Sequence, residues 1–118
     1  MAKRSEKRVE FLNDLLTDAI EGSINHWLES IDAKLVKPSD DATSWYYEYA
    51  KIVDLDGDEH TITLDTIVKG MQFIVKRNAE RDKDLILCNR TNGDEGDYDA
   101  LDCDKIVQFG LYGELVYG

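Results

Sequence analysis

The sequence predicts an α+β domain, with a long N-terminal helix and further helices packed on a small antiparallel β-sheet. Three observations lead there. Apolar residues in the first third recur every three or four positions, two short β-prone runs flank an Asp-Gly turn, and two later segments return to helical spacing. A lone hairpin is marginal in water, so it must rest on the helices. The chain has 118 residues, the size of one domain, 1–118, and shows neither an internal repeat nor a linker.

Val9, Leu12, Leu16, Ile20, Ile24, Trp27 and Ile31 form the first stripe, and Phe11, Leu15, Ala19 and Leu28 widen it. Ser5 suits the N-cap, and Pro38 closes the segment. Gly22 costs about 1 kcal/mol relative to alanine inside a helix. Because the stripe keeps its register across Gly22, one long or gently bent helix is expected. A polar loop, 40–44, follows.

Trp45 to Val53 is aromatic and β-branched and reads as a strand. Trp45, Tyr47 and Tyr49 share one face and Ala50 and Ile52 the other, so its register stays open. The run from Asp54 to Glu59 is a turn centred on Asp56-Gly57, and His60 to Leu64 alternates as the second strand of the hairpin.

Asp65 or Thr66 caps the next helix, whose buried face is Ile67, Val68, Met71, Ile74 and Val75. Lys76 and Arg77 suit its C-terminal dipole. Leu85, Ile86 and Leu87 make a short helical segment, and residues 91–99 make a loop. A last helix starting at Asp102 buries Ile106, Val107 and Phe109 and ends near Gly113. Leu115, Val116 and Tyr117 are β-prone and are expected to add a short C-terminal strand to the hairpin.

Composition excludes several classes. With 42% hydrophobic and 33% charged residues, the chain is too apolar for a disordered tail and too polar for a membrane protein. Acids outnumber bases 25 to 14, a net charge of −11, which argues against direct contact with nucleic-acid phosphates. No secretory leader is read at its start, so a reducing cytoplasm is expected, with Cys88 and Cys103 as free thiols. Zinc would need those two distant thiols with the isolated His26 and His60. The Asp54–Glu59 run fails the EF-hand spacing, since glycine comes one residue after the second aspartate and no glutamate stands at the twelfth position. Neither a metal nor a cofactor is expected, and Trp27, Trp45 and several tyrosines are assigned to the core.

Glu21, Asn25 and His26 are the nearest approach to a catalytic cluster. Glu21 and Asn25 lie four apart on one helix face, but His26 points about 140° from Glu21 at helical geometry. A non-catalytic protein is therefore expected, with Glu21 and Asn25 hydrogen-bonding to the hairpin or a helix end. The alternative is a small-molecule or metal-binding protein with its site at these three residues.

The charge distribution is more informative. Residues 54–59 hold four acids (Asp54, Asp56, Asp58, Glu59) and no base, and residues 92–104 hold six (Asp94, Glu95, Asp97, Asp99, Asp102, Asp104) and no base. Bases gather instead at Lys3, Arg4, Lys7 and Arg8 and around Lys76, Arg77, Arg81 and Lys83. If the two acidic segments lie together, they form a negative patch that draws a basic partner.

Two stretches carry a resemblance. Glu21-Gly22-Ser23-Ile24-Asn25-His26-Trp27 resembles an EGG-I-x-Y-W segment in small accessory proteins of actinobacterial phages and related mobile elements, with Ser23 and His26 where that group has glycine and tyrosine. The run from Asp97-Tyr98-Asp99-Ala100 through Asp104-Lys105-Ile106-Val107-Gln108 to Gly113-Glu114-Leu115-Val116-Tyr117-Gly118 resembles the same group, as does Leu64-Asp65-Thr66-Ile67. The resemblance implies a phage-like accessory protein inside a bacterial cell and no particular chemistry. Together with the acidic segments, it leads to an expected function as a non-catalytic binder that inhibits or modulates a basic host protein. A nucleic-acid-handling or defence enzyme fits, with carboxylates standing in for phosphates.

Overall fold

The computed structural model describes residues 4–37, 40 and 45–118. Pro38 and most of the predicted loop 40–44 lie outside the described residues. The architecture is α+β, with four α-helices packed on one three-stranded antiparallel sheet.

Helix α1 spans Glu6–Asp18, capped by the Ser5 side chain, which accepts the Arg8 amide at 3.1 Å. Its buried face is Phe11, Leu12, Leu15 and Leu16, the face the stripe predicts. The helix then widens into a π-turn at Ala19–Ser23 and tightens into a 3₁₀ turn at Asn25–Trp27.

The single long helix is therefore a misreading beyond Ser23. Leu28–Val36 is strand β1, paired antiparallel with β2 (Tyr46–Asp54). In β1, Ile31, Ala33 and Leu35 alternate with Ser30, Asp32 and Lys34, a period of two that the Ile24–Trp27–Ile31 spacing conceals. Gly22 marks neither a close approach nor a bend within a continuing helix, since a Cβ there would meet nothing within 4 Å.

Strand β3 (Glu59–Ile62) completes the sheet in the order β1-β2-β3. The hairpin β2–β3 turns where predicted: the Gly57 amide donates to Asp54 O at 3.0 Å, and Gly57 takes φ +87°, a conformation that favours glycine. A bulge at Glu48 shifts the β1–β2 register, so that Leu35 faces Tyr47 while Lys34 faces Tyr49. That bulge explains why the face of Trp45 to Val53 could not be read from alternation.

Helix α2 (Leu64–Arg77) starts from a capping box of Thr63 and Thr66 and buries Ile67, Met71 and Ile74. Val75, predicted in that face, is 41% exposed. Helix α3 is Lys83–Arg90, and α4 is Ala100–Tyr112, begun by a capping box of Asp99 and Asp102 and ended at Gly113. α2 and α4 cross with their backbones nearly touching. A Cβ on Gly70 would overlap the Ile106 carbonyl, and one on Gly110 the Thr66 carbonyl.

The predicted C-terminal strand does not form. The Val116 and Tyr117 amides both donate to Gln108 Oε1 at 2.9 Å, so a side chain in α4 satisfies the donors a strand partner would take. Tyr117 stacks flat on the buried Trp27, with ring centroids 5.3 Å apart. The third strand of the sheet comes from β1 instead.

Candidate functional site

Two carboxylates predicted for a partner surface are interior. Asp54 is 1% exposed and collects the Tyr112 hydroxyl at 2.7 Å, His60 Nε2 at 3.0 Å and the amides of Asp56 and Asp58. The hydrogen bond from Tyr112 leads, and those from His60 and the two amides add to it. Together they hold the Asp54 carboxyl far below the usual carboxylate range although burial opposes them. Asp104 is 7% exposed and accepts the Trp27 indole N–H at 2.7 Å and the Gln108 amide at 2.9 Å. These acids join the sheet, the tail and α4 from within and are corrected to structural roles.

The two acidic segments also do not meet as one patch. Asp54 is bonded to Tyr112, the last residue of α4, whereas Asp99 caps the first turn. Thirteen helical residues put about 20 Å between those ends. In the turn, Asp56 accepts the Tyr117 hydroxyl, while Asp58 and Glu59 are exposed.

At the other end of α4, loop 91–99 is shaped by local bonds. Thr91 Oγ1 accepts the Glu95 amide at 3.0 Å, and Gly96, at φ +73°, lies so close to α3 that a Cβ would overlap the Asp84 carbonyl. Arg8 ties the loop to α1 through Asn89 and Asn92, and Lys7 pairs with Asp94. Tyr98 packs edge-on against Phe11, with centroids 6.3 Å apart, and donates its hydroxyl to Asp18 at 2.8 Å. This leaves Glu95, Asp97 and Asp99 exposed beside α1.

There they meet a row of acids the sequence reading missed. Glu10, Asp14 and Asp18 follow one another at four-residue intervals along the outer side of α1, with Glu21 just beyond in the π-turn. The signal for them is an acidic repeat at four-residue intervals on the polar face of a helix, opposite its apolar stripe. Among the described residues, no lysine, arginine or histidine forms an ion pair with Glu10, Asp14, Asp18, Glu21, Asp97 or Asp99.

The field of this row shows in its neighbours. Burial, then the charges of Glu10 and Asp18, push the Asp14 carboxyl up. Burial also raises the Asp102 carboxyl, with Asp99 adding to the push through its charge. The Cys103 thiol, beneath the row, is pushed up to about 12, by burial first and then by Asp18, Asp102, Asp99 and Asp104. A groove of about 620 Å³ runs between Asp18, Glu21, Tyr98 and Asp99.

Glu21, Asn25 and His26 do not converge. Glu21 accepts the Tyr47 hydroxyl at 2.9 Å, reaching the sheet as the non-catalytic reading expects, whereas His26 lies 3.4 Å from Asp104 on α4. Cys88 and Cys103 are free and buried, and burial raises the Cys88 thiol too. Among the described residues, no group of three or more histidine, cysteine, aspartate or glutamate side chains is placed to hold a metal ion, and no helix is long and apolar enough to cross a membrane.

An acidic α+β domain in which, among the described residues, Glu10, Asp14 and Asp18 of α1 and Asp97 and Asp99 of loop 91–99 form no ion pair is as far as fold and site define a class. The chain matches no family model, no curated protein and no solved structure.

Proposed function

We propose that this domain is a non-catalytic acidic binding module that inhibits or modulates a basic host protein, as an accessory protein of the phage-like kind its sequence resembles. The contact surface is the row Glu10, Asp14, Asp18 with Asp97 and Asp99. The observation that carries this reading is that, among the described residues, no lysine, arginine or histidine forms an ion pair with this row, with Asp14 raised partly by its like-charged neighbours.

A surface organised this way steers a cationic partner and discriminates against anionic ones. Carboxylates at i, i+4 along a helix recur every ~6 Å, sparser than the phosphates of one DNA strand at about 3.4 Å of axis. The loop acids supply the second rank that makes the face resemble a nucleic-acid backbone. A partner that normally grips phosphates, such as a nucleic-acid-handling or defence enzyme, suits it best. Buried, proton-retaining thiols and the dispersal of Glu21, Asn25 and His26 favour binding over catalysis.

The test is affinity capture from a bacterial lysate at low and raised salt, with duplex DNA as competitor. Basic nucleic-acid-binding proteins should be retained at low salt, released as salt rises and displaced by DNA. The triple variant Glu10→Lys, Asp14→Lys, Asp97→Lys should lose them while keeping its circular-dichroism spectrum. Equal retention by the folded triple variant overturns the assignment of this face.

A further inference from the structure

Among the described residues, strand β1 is a long, unpaired edge that the helices do not cover. It runs nine residues without proline, and among the described residues its outer edge has no strand partner. The helices pack chiefly on β2 and β3, and β1 is exposed from Glu29 to Leu35. Ile31 and Ala33 lie opposite Ile52 and Ala50, which are buried, so they face the core side of the sheet. Yet Ile31 is 40% and Leu35 47% exposed. An uncovered strand edge with apolar residues beside it is a template for another strand.

The order of side chains along β1 says which strand fits. From Ile31 to Leu35 the sequence is complementary to its own reverse about Ala33. Asp32 and Lys34 stand one position to either side and Ile31 and Leu35 two. We propose that two copies of this chain pair through β1, antiparallel, about a two-fold axis at Ala33, forming one six-stranded sheet. Each Asp32 then faces Lys34 of the other copy and each Ile31 faces Leu35. Directly opposite residues in an antiparallel pair share a face, so the apolar pairs close over the uncovered inner side and the ion pairs stand on the outer side.

Neighbouring registers are worse. A shift of two in one direction sets Asp32 against Asp32, and in the other sets Lys34 against Lys34, and like charges directly opposite destabilise a sheet. Odd registers place charged side chains opposite apolar ones and turn the inner faces to opposite sides. Lys34 already reaches Glu48 at 3.2 Å, but both side chains are about half exposed, which leaves its ammonium free to take a second carboxylate. The contact is confined to one strand edge, and each copy carries a charge of −11. The dimer therefore belongs at the weak end of specific association.

Sedimentation velocity at about 150 mM salt, from about 1 µM to about 1 mM protein, tests this. The mass should rise from one chain to two across that range. Lys34→Asp, which places Asp32 against aspartate twice, should weaken the dimer at least tenfold. Asp32→Lys combined with Lys34→Asp should restore it, which loss of the Lys34–Glu48 pair alone would not allow. Hydrogen exchange on the unaltered chain should show amides within 30–36 gaining protection as concentration rises. A chain that stays monomeric throughout, a dimer indifferent to Lys34→Asp, a double variant that stays as weak as the single one, or association without added protection in β1 each overturns the proposal.

Discussion

The turn 54–59 and the loop 94–99 carry acids at similar density and no base, and they sit at opposite ends of α4. In the turn, Asp54 lies inside, surrounded by a phenol, an imidazole and two amides, and Asp56 is bonded to Tyr117. In the loop, Asp94 pairs with Lys7 and Asp99 caps α4, while Glu95 and Asp97 are exposed beside a second rank on α1, where burial and mutual repulsion raise Asp14 rather than lower it. Composition is the same at both ends, but the partners are not. A carboxylate is structural where remote donors converge on it and available where they do not.

The largest effect should come from a carboxylate that lies in an acidic segment of the sequence but behaves like the buried ones. Asp104→Ala leaves the Trp27 indole N–H and the Gln108 amide short of an acceptor, and should cost about 3 kcal/mol in urea denaturation. A loss below about 1 kcal/mol would show that water replaces the carboxylate and that the distinction is weaker than drawn.

Acid titration separates the two groups by sign. Asp54 is held low, chiefly by Tyr112. Asp82, which is fully buried, is held low because Lys105 and Arg77 overcome the opposing effect of burial. A folded-state pKa below the unfolded value favours the fold above the unfolded carboxylate range, and that contribution disappears as pH falls toward the folded value. Thermal stability should therefore drop steadily below about pH 4. Asp14 and Asp102 act oppositely, since their raised values mean that deprotonation through the carboxylate range works against the fold. Melting curves between pH 2 and 7 (about the span of carboxylate titration) should show a net loss on the acid side, and a flat profile would remove Asp54 and Asp82 from the account.

The smallest effects belong to the exposed row. Asp14→Asn relieves repulsion from Glu10 and Asp18 and should gain about 0.3 kcal/mol. Glu95→Gln should change stability by less than about 0.5 kcal/mol. A destabilisation above about 1 kcal/mol at either position, read by urea titration, would mean that the outward acids hold the fold after all.

Much of the architecture was legible in advance. The β2–β3 hairpin, its Asp56-Gly57 turn, α2 with Lys76 and Arg77 in its last turn, and α4 ending at Gly113 all follow from short-range patterns. What was missed shares one feature. The switch from helix to strand after Trp27 depends on pairing with β2. The loss of a strand at Leu115–Tyr117 depends on Gln108, and the removal of Asp54 and Asp104 from the surface depends on Tyr112, His60 and Trp27. Of the candidate site, the Asp97 and Asp99 half was visible as a base-free run. The α1 half was hidden by reading only that helix's apolar stripe.

By itself the sequence determined the charge of −11, the α+β class and those elements whose periodicity and caps are complete within about a dozen residues. Only the tertiary structure decided where α1 ends, which carboxylates are buried, how closely Gly70 and Gly110 bring α2 and α4 together, and that β1 stands uncovered. The physical reason is the range of the interactions. Helical and turn preferences act between residues a few positions apart, whereas Trp27 finds its acceptor 77 residues away at Asp104, and Asp54 finds Tyr112 58 residues away. No local pattern encodes a partner at that distance, so burial and pairing there emerge only when the chain has folded.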